Sequence, residues 1–552
     1  MRRLLCALAM MVLAWSGVVS STRAAWVDAP PSSTTAPENQ AEPLAELERG
    51  LDKERGRNWA AAMEVYRGAL ERWPSRVEFG RRLRLCEIHF KLNRRYADAS
   101  FRNVLLALPH DQATELFDEV LERIQSNYVD AVPWEPLVRH GLDNLEVALR
   151  DPVFLKVNAP LASPERVTWV RETLREYRAN LAIPDRAAAV RMAVGCGELG
   201  QRALALAVTP VLLEFTCGAC DALDDFTSYL TPDKLEDLYA MIDGNFVGLG
   251  IELKIDKEGL RLVGVIRGGP AWEAGVQPGD TIIKVDGVTL KGLGLDESAN
   301  KLQGVEGSTV ELVVRKKDGS VQAHRLVRRH VEVESVTRAK VVDPAAGIGY
   351  LRLTGFQKTS ADEMDAAVGA LVSQGIRVLV IDLRGNPGGL LNVAVDIAGR
   401  FVESGPIVST RGRAQGQTQT YVAAGQPRWK MPLYVLLDHD SASASEILAG
   451  ALQDHQRATI VGSRSYGKGS VQSIFSLRSA PAGLKLTTAK FYSPRNRPYS
   501  EQGVAPDLPI LAHAAAKPAD DNARLREEAD YGDPAHDPVL AAAIRAASER
   551  HP

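Results

Sequence analysis

Cysteine is scarce in this chain, five in 552 residues. That excludes a small secreted scaffold stapled by disulfides. Cys6 lies in the N-terminal apolar run, which leaves Cys86, Cys196, Cys217 and Cys220. Cys217-Gly-Ala-Cys220 has the spacing of a redox pair or of half a zinc site, but no second such pair completes it. A local disulfide or two buried thiols remain, and no metal is called for. Net charge is also nearly absent, −3 overall. No global field therefore favours nucleic acid or an acidic membrane. Beyond Val19 no apolar run is long enough to cross a bilayer.

What is present is enough apolar residue, 45%, to bury sizeable cores, in a length that implies about three or four domains. Arg2 and Arg3 precede an apolar run from Leu4 to Val19 that ends in small residues at Thr22-Arg-Ala24. This is the pattern of an export signal, residues 1–24, cleaved after Ala24. The run is nearly long enough to span a bilayer, so an uncleaved anchor is the alternative. Either places the protein in the periplasm or another extracytoplasmic space.

Residues 25–43 are rich in Pro, Ser, Thr and Ala and read as a linker. Over 44–110 the pattern is helical. Ala62, Tyr66, Ala69, Leu70 and Pro74 recur as Ala97, Phe101, Val104, Leu105 and Pro109. That spacing resembles tetratricopeptide hairpins, with a plain helical bundle the alternative. Residues 111–242 continue as helices, with a stretch at 151–220 that carries no chemical motif. From 243 to 330 short strand-like runs alternate with glycine turns, the mark of a small β domain. Over 331–512 strands and helices alternate, which predicts an α/β core on a largely parallel sheet. Residues 513–552 read as a C-terminal tail. The fold class is multidomain α+β.

Two stretches of the α/β region carry chemistry. Ser443 lies in Asp440-Ser-Ala-Ser-Ala-Ser-Glu446, and Lys468 in Tyr466-Gly-Lys-Gly-Ser-Val-Gln472. Ser443-Ala-Ser-Glu446 is a capping box that opens a helix. A serine there also lies beside free backbone N–H groups, so the Ala444 N–H is placed to stabilise an oxyanion. A serine nucleophile needs a base. His439 and His455 are near in sequence but have no recognisable orienting acid. Lys468, flanked by glycines, is the better candidate. To serve it must be neutral, against a reference pKa of about 10.4, and burial lowers that value. Gly462-Ser-Arg-Ser-Tyr-Gly-Lys468 nearly matches a phosphate-binding loop. It lacks the Ser or Thr after lysine, and a strand pattern follows where a helix is needed. No nucleotide or other cofactor is called for. Asp382-Leu-Arg-Gly-Asn-Pro-Gly-Gly389 follows a buried strand, and its N–H groups suit an oxyanion hole or an anion cradle.

Taken together, Ser441-Ala-Ser-Ala-Ser-Glu-Ile447, Gly450-Ala-Leu-Gln-Asp454, Gly467-Lys-Gly-Ser-Val-Gln472, the loop from Asp382 to Gly389, Leu486-Thr-Thr-Ala-Lys490 and Gly503-Val-Ala-Pro-Asp507 resemble the C-terminal processing peptidases, or tail-specific proteases. The resemblance covers roughly residues 111–510 apart from 151–220. It implies a serine–lysine endopeptidase with Ser443 as nucleophile and Lys468 as general base. Gln472 would orient the lysine, and Asp454 matches an acidic position of the relay. Ala444 and Gly388 would supply the oxyanion hole, with Gly389 the alternative to Gly388. The β domain resembles the PDZ module of bacterial proteases through Gly268-Gly-Pro-Ala-Trp-Glu-Ala-Gly275, Pro278-Gly-Asp280 and Val285-Asp-Gly287. Gly248, Leu249, Gly250 and Ile251 look like its carboxylate loop, which implies binding of apolar C-terminal tails of protein or peptide substrates.

Two departures bear on the hinge and the substrate groove. Asp224-Asp-Phe-Thr-Ser-Tyr229 replaces the family's Asp-Pro-His-Ser run, and Ser493-Pro-Arg-Asn-Arg497 lacks its Ser-Gly. The N-terminal helices would add a surface for an adaptor, for anchoring or for self-association. A non-catalytic PDZ and helical-repeat adaptor, or an esterase or amidase, are the alternative functions.

Overall fold

The computed structural model describes residues 41–304, 306–510 and 531–551. The expected signal segment, and most of the linker, lie outside them. Among the described residues the chain divides into two compact units, 41–232 with Ser473–Leu486, and Asp233–Gln472 with residues from Thr487 onward. Among the described residues no helix is long and apolar enough to cross a membrane.

The first unit is helical from Ala41–Arg55 to Val208–Asp221. The expected helical repeat holds for one copy only. Ala62, Tyr66 and Ala69 sit on the helix Trp59–Arg72 and are fully buried. The second copy falls at the end of the helix Val77–Ala97 and on a single π turn, Phe101–Leu105, not on a second hairpin. No break occurs at 110. Leu92, Tyr96, Phe101 and Leu105 enter the same core as Phe117, Leu145, Phe154 and Phe215. The 151–220 stretch supplies the helices Pro152–Asn158, Pro164–Ala179, Arg186–Leu204 and most of Val208–Asp221 to that core. Cys217 and Cys220 are buried on one helix, and no disulfide joins them.

The second unit begins with the β domain. Its strands are β1 (Asn245–Gly248), β2 (Ile251–Asp256), β3 (Gly259–Val265), β4 (Thr281–Val285), β5 (Thr309–Arg315), β6 (Val321–Val327) and β7 (Arg329–Glu332). β2 through β6 form an antiparallel sheet in the order β2-β3-β4-β5-β6. β2 is therefore an edge strand, paired on one side only. β1 and β7 pair as a separate ladder at the base of the domain.

The α/β core carries a six-stranded sheet of β8 (Val336–Asp343), β9 (Ile348–Leu353), β10 (Val378–Asp382), β11 (Leu433–Leu437), β12 (Ala458–Gly462) and β13 (Leu508–Pro509), in that spatial order. β8 runs antiparallel to β9, and every other neighbouring pair is parallel. β10 and β11 are buried at every residue. Strands covered on both faces need apolar side chains throughout, which explains Val-Leu-Val-Ile in β10. Leu379 and Ile381 face a core built with helices α1 (Ser360–Ser373), α2 (Leu391–Gly399) and α3 (Ala444–Asp454). Val378 and Val380 face the other way, into a core closed by α4 (Pro538–Arg550) through Leu540, Ala543 and Ala547. The segment set apart as a tail is thus, over its last residues, the second cover of the sheet. Asp537 caps α4 and Pro538 opens it, a strong local start signal.

Candidate active site

The serine loop, the Gly-rich loop and the lysine loop leave the C-terminal ends of β11, β10 and β12. Parallel sheets present their ligand sites there. Local hydrogen bonds select one serine of three. Ser441 Oγ donates to Leu383 O at 2.9 Å and Ser445 Oγ to Asn386 O at 3.0 Å, and both residues are fully buried. Ser443 alone of the three keeps contact with solvent. It adopts φ 56° and ψ −112° at the N-cap of α3. A positive φ is strained for any residue with a Cβ, and such strain persists where neighbours over-determine it.

Those neighbours are identifiable. Glu446, fully buried at the third position of α3, accepts the Ser443 N–H at 2.7 Å on Oε2. The same oxygen accepts the Lys468 N–H at 2.9 Å. The two backbone nitrogens thus lie no further apart than those two bonds laid end to end. Glu446 Oε1 accepts the Ser465 hydroxyl and the Gly467 N–H, each at 2.6 Å. Burial pushes the Glu446 carboxyl up to about 7, against four donors that each favour the anion. Gly467 and Gly469 let the lysine loop lie against the turn at 500–501. A Cβ on Gly469 would stand 2.3 Å from Ser500 N. Lys468 itself is half-buried.

The Gly-rich loop is clamped onto the serine loop. Asn386 O accepts the Ala442 N–H at 3.0 Å, and Asn386 Nδ2 donates to Leu353 O at 2.8 Å. Asp438 Oδ1 accepts the N–H groups of Gly385 and Ser441 at 3.0 Å each. Burial raises the Asp438 carboxyl, with those bonds working the other way.

Gly388 has φ 102°, and a Cβ there would meet Ala442 O and Ser443 Cβ at 2.8 Å. Its N–H, the expected oxyanion donor, is already given to Asn386 Oδ1 at 2.9 Å. The Gly388 N–H is thus engaged within the loop, and the contribution of Gly388 here is close approach. Among the described residues no acceptor takes the N–H of Gly389 or of Ala444.

Two other expectations change. Asp454 is the last residue of α3, whose 11 residues begin just after Ser443. At about 1.5 Å per residue it stands roughly 16 Å from the serine. There it binds the Arg497 guanidinium and accepts the Arg495 N–H at 3.0 Å. It holds the 493–497 turn and no relay. Gln472 Nε2 donates to Ser470 Oγ at 2.9 Å and to Thr487 Oγ1 at 3.2 Å. These bonds fix its amide and leave Oε1 as the atom able to accept from a lysine. His439 is largely exposed beside Asp440, and His455 Nε2 meets Pro406 O at 2.7 Å. Neither histidine is bonded to the serine.

In the β domain Gly250 has φ 71°, and its carbonyl accepts the Ile266 N–H at 2.8 Å. Leu249 O accepts the Ala271 N–H at 2.9 Å. The side chains of Leu249 and Ile251 are buried in the domain core, while Gly248 pairs with Arg329. The loop's carbonyls are thus spent on the domain, whereas no acceptor among the described residues takes the Leu249 or Gly250 N–H. Edge strand β2 follows directly.

Comparison with known proteins matches two regions of the chain to protein families. Residues 347–510 match Peptidase family S41, and residues 261–316 match a PDZ domain. A carboxyl-terminal-processing protease of Synechocystis is 37% identical over 306 residues, covering 54% of this chain and 71% of that protein. The chain belongs to peptidase family S41. A carboxy-terminal-processing protease of Bartonella bacilliformis is 38% identical over 296 residues, 52% of this chain and 67% of that protein. Among solved structures, a photosystem II D1 C-terminal processing protease is 28% identical, covering 75% of this chain and 96% of that one, with a TM-score of 0.38. In this S41 peptidase, sequence reasoning had found Glu446 only as a helix cap. Its hold on the lysine loop needs the fold, as do the clamps made by Asn386 and Asp438.

Proposed function

We propose that this S41 peptidase is an exported serine endopeptidase that docks the apolar C-terminal tail of a protein substrate on its PDZ domain and cleaves peptide bonds with Ser443 and Lys468. One observation carries the reading. A single buried carboxylate oxygen, Glu446 Oε2, holds the backbone of both residues. Ser443 Oγ attacks the scissile carbonyl and gives its proton to a neutral Lys468 Nζ. The carbonyl oxygen, now an anion, takes the N–H groups of Ala444 and Gly389. As the tetrahedral intermediate collapses, the lysine passes the proton to the leaving amine. Water then hydrolyses the acyl-serine by the reverse sequence. Gln472 Oε1 orients the lysine. Tail binding uses edge strand β2, to which the tail adds as a further strand, with the chain-terminal carboxylate on the N–H groups of the 248–251 loop. Export rests on Arg2, Arg3 and the run Leu4–Val19. A mature chain beginning at Ala25 in an extracytoplasmic fraction checks it.

The test is turnover of an unstructured polypeptide with an apolar tail. Ser443→Ala and Lys468→Ala should each lose at least about 10³-fold in kcat, the scale of losing an activated nucleophile or its base. Wild-type rates in both variants would refute the assignment. Tail binding without turnover in the wild type would favour the adaptor.

A further inference from the structure

The Gly-rich loop is pinned at three consecutive residues. Asn386 is tied to Leu353 and to the serine loop, and Gly385 to Asp438. Arg384 is tied from outside the 347–510 region. Its guanidinium donates from Nη1 to Asp537 Oδ1 at 2.9 Å and from Nη2 to Asp537 Oδ2 at 2.5 Å. On its other side it donates from Nε to Asp382 Oδ1 at 2.9 Å and from Nη2 to Asp382 Oδ2 at 2.6 Å. The side chains of Arg384, Asp382 and Asp537 are 5%, 0% and 1% exposed. The Tyr531 ring lies 4.1 Å from the guanidinium, and Tyr350 donates its hydroxyl to Asp382 Oδ2 at 2.8 Å.

A guanidinium this deeply buried needs every donor met. Asp382 meets one edge, and that bond lies within the strand end and loop themselves. Of the two carboxylates that hold the guanidinium, Asp537 is the one that ties it to another element, the capped start of α4, where its Oδ1 also accepts the Leu540 N–H at 3.0 Å. Arg384 lies five residues before Gly389 on a loop pressed against Ser443. A bidentate pair fixes direction as well as distance. We infer that Asp537, from the C-terminal segment, is a positioning residue for peptide hydrolysis: through Arg384 it holds the Gly-rich loop in the register that presents the oxyanion donor to Ser443. This rests on the functional reading above.

The experiment uses the full chain and the tailed polypeptide substrate. Asp537→Asn should lower kcat about tenfold or more with KM within about twofold, since misplacing an oxyanion donor costs transition-state binding and spares ground-state binding. Asp537→Glu, which keeps the charge, should recover at least about a third of the wild-type kcat. Leu540→Ala is the control. It removes a fully buried contact of α4, lowers the melting temperature to a similar degree and leaves the Arg384 pair in place. Assayed below its melting transition, it should keep at least about half of the wild-type kcat, because loss of packing alone leaves the loop in register. If Asp537→Asn does not fold, Tyr531→Leu removes the ring over Arg384 and should lower kcat about threefold at constant KM. A wild-type kcat in Asp537→Asn, or in Tyr531→Leu if that variant stands in, overturns the inference. So does an equal loss in Leu540→Ala, which would make the role one of stability. A wild type without Ser443-dependent turnover would instead overturn the functional reading, and this inference with it.

Discussion

Glu446 accepts four donors on two oxygens: the Ser443, Gly467 and Lys468 N–H groups and the Ser465 hydroxyl. The anion satisfies all four. A proton on either oxygen puts a donor where an acceptor is required, so at least one bond breaks. With the carboxyl pushed up to about 7 by burial, the intact arrangement is lost as pH falls through that value. We predict that kcat falls along a limb centred near pH 7. Glu446→Gln should remove that limb and lower kcat by about 10²-fold, the equivalent of two to three kcal/mol for stranded buried donors. A pH–rate profile of wild type and variant checks this, and an unchanged limb would contradict it. Stability runs in the opposite sense. The folded carboxyl binds its proton more tightly than the unfolded one, whose value is near 4.5. The stability due to this group is therefore fully present below that value and is lost as pH rises towards 7. Glu446 was legible in the sequence as half of a capping box, because that pattern is local. Its grip on Lys468 was not, because it joins loops from two different strands.

At the scale of elements, three loops leave the same end of three parallel strands, and one edge strand follows the loop proposed to hold a chain-terminal carboxylate. β10 was readable as the buried strand before the Gly-rich loop, since burial on both faces leaves an unbroken apolar run that ends at Asp382. α3 was readable from its capping box, Ser443-Ala-Ser-Glu446. α4 was passed over although Asp537-Pro538 marks a helix start, because alanine-rich helices show little amphipathic contrast. The repeat at 62–109 misled because its second copy ends a 21-residue helix where a hairpin was expected. The carboxylate loop carries its own prediction. Gly250 has φ 71°, and a Cβ there would sit 3.2 Å from Gly269 Cα. Gly250→Ala should cost about 1–2 kcal/mol of local strain. KM for tailed substrates should rise about fivefold or more, while cleavage of an untailed substrate stays within twofold. Parallel kinetics on the two substrates check it, and equal losses on both would place the loop outside tail recognition.

At the scale of the whole molecule, a PDZ domain and an α/β core share one compact unit, and a helical unit of unassigned role precedes them. The family was legible because six separate motifs stand in order, four of them at loops and two, 450–454 and 486–490, on α3 and on the strand Gly483–Tyr492. Asp454 was carried over by motif position and fails on distance alone, since a helix turns sequence proximity into roughly 16 Å of separation. In the proposed function Ser443 is the residue through which peptide bonds are broken. Mass spectrometry of the products from one polypeptide, with and without an apolar tail, tests it most directly when wild type and Ser443→Ala are run side by side. We predict wild-type fragments with defined new termini, produced faster from the tailed substrate, and an intact substrate with Ser443→Ala. The same fragments from Ser443→Ala would contradict it.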